Sequence, residues 1–220
     1  MVSTELLVSL VPFVPLLGFL LVAFNTKRFS EGVSSVIACG AILVSFILSI
    51  LLFFQVANLP HETKSIQVTL FNWITTGNFS ATLSFLVDPL SVLMMLIITG
   101  VGFLIHVYSI GYMHGDDGFN RFFSYLNLFV FFMLLLVRGS NYLVLSIGWE
   151  GVGLCSYLLI GFWFKNQAYN DAANKAFIMN RIGDLGMLLG VILIFVTVGS
   201  IQYTDVFAKA LTIEPSTLTI

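Results

Sequence analysis

Charge is scarce in this sequence: of 220 residues only 9% are Asp, Glu, Lys or Arg, whereas 58% are hydrophobic. Soluble domains carry roughly a quarter charged residues, so a water-soluble globular fold is excluded. The nine basic and eleven acidic residues leave a formal net charge of -2 and form no basic cluster. That removes the electrostatic footprint of a nucleic-acid partner. Cysteine is nearly absent, and Cys39 and Cys155 lie far apart inside apolar runs. They match no metal or redox spacing and read as packing residues. The N-terminus, Met-Val-Ser-Thr-Glu, lacks a basic n-region, and the apolar run from Leu6 to Phe24 lacks a small-residue cleavage site. This run is therefore expected to stay as a membrane segment.

Long apolar runs are plentiful. A spanning helix needs about 20 mostly apolar residues, and six runs meet that length, near residues 4–25, 32–57, 88–111, 121–138, 141–164 and 173–198. The expected fold class is an all-α polytopic membrane protein. Loops one, three and five hold Lys27, Arg28, Arg121, Lys165 and Lys175, against Lys64, Arg138 and Lys209 at the other ends. Basic residues favour the cytoplasmic side, so both chain ends are expected to face outward.

The segment between spans two and three differs. Ile66, Val68 and Leu70 alternate with Gln67 and Thr69, and Phe79, Ala81, Leu83 and Phe85 alternate with Ser80, Thr82 and Ser84. Period two is the strand signal, and Thr76-Gly77-Asn78 supplies turn residues, so an external β-hairpin is expected over 66–86. Asp88-Pro89 then starts span three, with Asp as cap and Pro in the first turn. The chain thus divides into spans one and two (1–65), the hairpin (66–86), spans three to six (87–200) and an external surface segment (201–220) with a short helix over Gln202 to Ala210.

An ionisable residue deep in a span costs at least about 2.5 to 3.5 kcal/mol on insertion scales and is a functional candidate for that reason. Glu150, Arg181 and Asp184 meet this description. Glu150 lies eight positions after Tyr142, about 12 Å into the membrane, and shares a helical stripe with Ser146, Gly153 and Tyr157. A carboxylate whose proton affinity depends on whether a movable cation stands beside it meets the physical requirement for a proton relay. Arg181 and Asp184, at i,i+3, can form an ion pair that tunes it, or else only a structural clasp. Asp184 is expected at a similar depth to Glu150. His106 is a further relay candidate, with a satisfied core histidine as the alternative. Lys175 reads as an interface anchor, and His114, Asp116 and Asp117 as a solvated inner loop without a metal site. Gly183, Gly186 and Gly190 permit close helix approach. No Lys occupies the middle of a span, so if Glu150 works against a buried lysine, that lysine is expected outside these residues.

The run VDPLSVLMMLIITGVGFLIHVYSIGYMHGDDGFNRFF, followed by NYLVLSIGWEGVGLCSYLLIGFW and KAFIMNRIGDLGMLLG, closely resembles the antiporter-like subunit L family of respiratory complex I, called chain 5 in mitochondria. The resemblance implies part of an antiporter-like fold and assigns proton translocation to Glu150, with a lysine on a later, broken helix. It matches Arg181 and Asp184 to the family's pair on helix six. It also implies that NADH, FMN, iron–sulfur clusters and quinone belong to partner subunits, with no cofactor in this chain. The expected partners are other complex I membrane subunits, the lipid bilayer and a missing C-terminal part of the same protein. The expected location is a bacterial inner membrane, with the mitochondrial inner membrane as alternative. A multi-subunit cation/proton antiporter subunit, a structural membrane module and a small-molecule carrier are the competing readings, the last without any readable pocket.

Overall fold

The computed structural model describes residues 4–60, 64–76 and 79–210. Among them are six helices long and apolar enough to cross a membrane: α1 (Thr4–Phe24), α2 (Glu31–Ala57), α3 (Pro89–Tyr112), α4 (Phe119–Arg138), α5 (Tyr142–Ile160) and α6 (Gln167–Val198). Strands β1 (Ile66–Thr76) and β2 (Phe79–Val87) form an antiparallel hairpin between α2 and α3, and a short helix α7 (Tyr203–Ala210) follows α6. The all-α polytopic fold with one hairpin agrees with the sequence reading. The expected turn residues Gly77 and Asn78 lie outside the described residues. At the start of α3 the Asp88 carboxylate accepts from the Ser91 N–H at 2.7 Å while the Ser91 hydroxyl accepts from the Asp88 N–H, a reciprocal capping box with Pro89 in the first turn.

Two boundaries differ from the apolar runs. Helix α5 ends at Ile160, where Gly161 caps it. Helix α6 starts at Gln167, because Asn166 accepts from the Ala168 N–H and begins the helix before apolar residues take over. At about 1.5 Å per residue, its 32 residues run longer than a bilayer requires.

Helix α1 packs on α2 and α4, α2 on α3, and α4 on α5, around a core that includes Val8, Ile42, Leu52, Met95 and Leu134. Two prolines in α1 help define this core. Pro12 and Pro15 lack the N–H groups that would bond the carbonyls four residues earlier, leaving Val8 O and Val11 O without helical partners. Each finds a donor on another helix. The Ser45 hydroxyl of α2 donates to Val11 O at 2.7 Å, and the Arg138 guanidinium of α4 donates to Val8 O. Arg138 was expected among the loop charges. It is fully buried instead, drawn under the hairpin by that carbonyl, with its guanidinium carbon 4.7 Å from the Phe85 ring centroid.

The hairpin also fastens the ends of the last two spans. Ser140 N–H donates to Ser84 O, and the Ser84 and Ser140 hydroxyls are in contact. The Asn141 side-chain amide donates to Thr82 O at 2.8 Å, and that of Gln202 to the Thr82 hydroxyl at 3.1 Å. At the opposite end the Trp163 indole N–H donates to Asp116 at 2.9 Å, and the Gly118 N–H donates to its other oxygen at 2.7 Å. Asp116 therefore joins two loops. These two donors, the Trp163 bond foremost, hold its carboxyl below the ordinary value of 3.8.

Replacing Ser45 with Ala is expected to destabilise the protein by about 1 kcal/mol, and adding Pro15→Ala, which returns the missing N–H, is expected to recover most of it in detergent melts. Because the Asp116 carboxyl sits low in the folded state, its contribution is present above the unfolded pKa and lost as pH falls through the folded one. Trp163→Phe is expected to raise that titration toward 3.8, read by carbon NMR, and to weaken the acid dependence of melting between about pH 5 and pH 2.

Candidate functional site

Helices α4, α5 and α6 build the site in sequence. Gly148 and Gly151 bring α5 against α4: a Cβ at 148 would stand 2.5 Å from the Leu136 backbone nitrogen, and one at 151 would collide with the Phe132 ring. The glycines expected to serve close approach do not do so, since Gly183, Gly186 and Gly190 face open space on α6. The edge of this α4–α5 contact borders an open groove. A cavity of about 400 Å³, lined by Phe132, Ser146, Ile147, Gly151 and Leu154, opens beside Glu150 and Arg181.

Glu150 stands at the middle of the 19-residue α5 and Asp184 near the middle of the 32-residue α6. Arg181 lies between them. Its Nη1 contacts the Glu150 carboxylate and stands 3.5 Å from Asp184 Oδ2, so one guanidinium serves two carboxylates. The Phe177 ring, one turn earlier on α6, covers the guanidinium at 4.7 Å. The Trp149 indole N–H donates to the second Asp184 oxygen, Oδ1, at 2.8 Å. Side-chain exposure is graded, with Asp184 at 11%, Glu150 at 36% and Arg181 at 44%. Asp184 is the anchored member and Glu150 the accessible one.

The three groups sequence reading singled out therefore meet, and Arg181 reaches Glu150 as well as its own helix partner. With all three ionised the cluster would carry two negative charges against one positive. One uncompensated charge at mid-span is costly, and a proton on either carboxylate removes it.

His106 is not part of this cluster. It is buried between α3 and α4, its Nδ1 2.7 Å from the Gly102 carbonyl and its Nε2 3.5 Å from the Asn127 side-chain amide. With Nδ1 protonated, its ring is a satisfied part of the helix interface. Trp149 escaped the sequence reading. The available signal was an indole N–H at mid-span, which requires an acceptor in an apolar setting. No group of three or more potential metal ligands occurs among the described residues. Lys175 is exposed on α6.

Two family models match the chain: NADH-ubiquinone oxidoreductase (complex I) chain 5 N-terminus over residues 73–123, and the NADH:quinone oxidoreductase/Mrp antiporter transmembrane region over 139–219. NADH-quinone oxidoreductase subunit L of Pseudomonas aeruginosa is 42% identical over 196 residues, 89% of this chain and 32% of the relative. The chain belongs to the subunit L/chain 5 family. Another subunit L, that of Escherichia coli K12, is 36% identical over 93% of this chain and 33% of the relative. The NADH-ubiquinone oxidoreductase chain 5 of Hypocrea jecorina is 39% identical over 94% of this chain and 29% of the relative. The chain thus spans about a third of the length of these subunit L and chain 5 relatives. The fold of this multi-pass membrane protein also matches a chain in the structure of the membrane-bound sulfane sulfur reductase, an archaeal respiratory membrane complex, with a TM-score of 0.82 and 17% identity over 98% of this chain and 42% of that one.

Removing the shared cation leaves two carboxylates facing each other. Arg181→Met is expected to lower the amount of correctly inserted protein about fivefold, equivalent to about 1 kcal/mol after discounting for its exposure. Adding Glu150→Gln is expected to restore the level to within about twofold, measured by quantitative blotting of membranes.

Proposed function

We propose that this chain carries part of a proton path in the membrane arm of a proton-pumping NADH-quinone oxidoreductase. The observation that carries the reading is the charge balance at mid-span: one guanidinium divided between Glu150 and Asp184 leaves the cluster one proton short of neutrality. Glu150 takes and releases that proton, because it is the more exposed carboxylate and borders the cavity. Its proton affinity follows the position of Arg181. When the guanidinium leans on Glu150 the carboxylate is compensated; when it moves toward Asp184 the anion loses its partner and takes a proton. Arg181 and Asp184 tune the step, and His106 stands outside it.

In this reading the redox chemistry lies elsewhere in the assembly. NADH, FMN, iron–sulfur clusters and quinone belong to partner subunits, and electron transfer drives this chain through rearrangement of neighbouring buried charges. Other complex I membrane subunits, a further part of the same polypeptide and the surrounding lipid are the partners. A bacterial inner membrane is the setting, with the mitochondrial inner membrane as alternative. The second reading, a subunit of a multi-subunit cation/proton antiporter, is supported by the family description over residues 139–219, which includes Mrp antiporters. Sodium-driven exchange without NADH oxidation would favour it.

In the assembled complex, with the full-length subunit, Glu150→Gln is expected to permit assembly but to lower the proton-to-electron ratio in proteoliposomes. A normal ratio in that variant would contradict the proposal and favour a purely structural role for the charges.

A further inference from the structure

Asp184 is held from two directions, and only one of them is a charge. Arg181 approaches Oδ2 at 3.5 Å from the same helix, while the Trp149 indole N–H donates to Oδ1 at 2.8 Å from α5. Consecutive residues of α5 thus engage α6 separately: Trp149 binds Asp184, and Glu150 meets Arg181 one turn away. The division leaves each Asp184 oxygen with one partner.

We propose that Trp149 is a positioning residue for the proton-transfer site, its indole N–H pinning Asp184 so that Arg181 stays shared between Asp184 and Glu150. This rests on the relay reading of Glu150. Without the indole, Oδ1 loses its donor in an apolar span, where an unsatisfied carboxylate oxygen is costly. The nearest replacement is the guanidinium, whose planar fork can engage both oxygens of one carboxylate. Asp184 would then draw Arg181 to itself and strip the cation from Glu150. The indole prevents that capture by satisfying the oxygen that would otherwise recruit the second guanidinium nitrogen. A ring serving only as bulk would not need this bond, and half of the Trp149 surface is exposed, so packing alone does not explain its orientation.

The test uses the full-length subunit in the assembled complex reconstituted into proteoliposomes. Trp149→Phe keeps ring bulk but removes the donor; Trp149→His returns a ring N–H. The phenylalanine variant is expected to assemble and to move the pH midpoint of proton pumping by about one unit, a tenfold change in proton affinity, with histidine recovering at least about half. In an Asp184→Asn background, Trp149→Phe is expected to add nothing further, because both changes act through one contact. Ultraviolet resonance Raman spectra, with the Trp149 band assigned by difference from Trp149→Phe, are expected to report a changed indole hydrogen bond on Asp184→Asn. An unaltered pH midpoint in Trp149→Phe, an additive effect in the double variant, or an indole band indifferent to Asp184→Asn would each overturn the proposal. Normal pumping by Glu150→Gln would overturn instead the reading beneath it, and is told apart by an indole band that still responds to Asp184→Asn.

Discussion

One guanidinium shared by two carboxylates, halfway along an apolar helix pair, is the interaction on which the rest depends. Each of these groups alone would cost at least about 2.5 to 3.5 kcal/mol to insert. Arg181 reduces that cost for both Glu150 and Asp184 but can neutralise only one at a time. A third ionised group therefore leaves the cluster unbalanced, and protonation is the smallest change that restores neutrality. In the proposed relay, the position of Arg181 decides when Glu150 holds the proton.

The surrounding structure confines this choice to a small region. At one end the hairpin ties the α4–α5 and α6–α7 turns together through Thr82, Ser84, Ser140, Asn141 and Gln202. At the other, Asp116 links the α3–α4 loop to Trp163 just beyond α5. Between these ends α5 lies tightly on α4, with Gly148 and Gly151 allowing backbone and ring to approach. An open groove bordered by Phe132 of α4 and by Gly151 and Leu154 of α5 lies beside Glu150 and Arg181. The outer face of α6, with Ile178, Ile182, Leu185 and Leu189, is exposed among the described residues.

Sequence periodicity was enough to place six spans and a hairpin, because bilayer thickness sets span length and alternation sets strands. The same arithmetic put Glu150 and Asp184 at one depth. It did not show that Arg181 crosses to Glu150, since rotation about each helix axis depends on packing. Boundaries failed where hydrophobicity and hydrogen bonding part company: α6 continues through the polar stretch that begins at Gln167, sustained by its Asn166 cap. Arg138 looked like a loop charge because the carbonyl that draws it inward belongs to Val8, freed by Pro12 on another helix. His106, a relay candidate by type, lies apart from the cluster, with its Nδ1 on the Gly102 carbonyl. For Trp149 the sequence carried half the signal: a mid-span indole N–H needs an acceptor, but the acceptor lies 35 residues away on α6 and only packing brings the two together.

The proposed relay requires Glu150 to change its protonation during turnover. Time-resolved infrared difference spectroscopy on the assembled complex with the full-length subunit, assigned by isotope-labelled glutamate and by Glu150→Gln, addresses this directly. A protonated-carboxyl stretch is expected to appear and disappear with NADH oxidation and to be missing in the glutamine variant. A Glu150 side chain that stays ionised through every redox stage would contradict it.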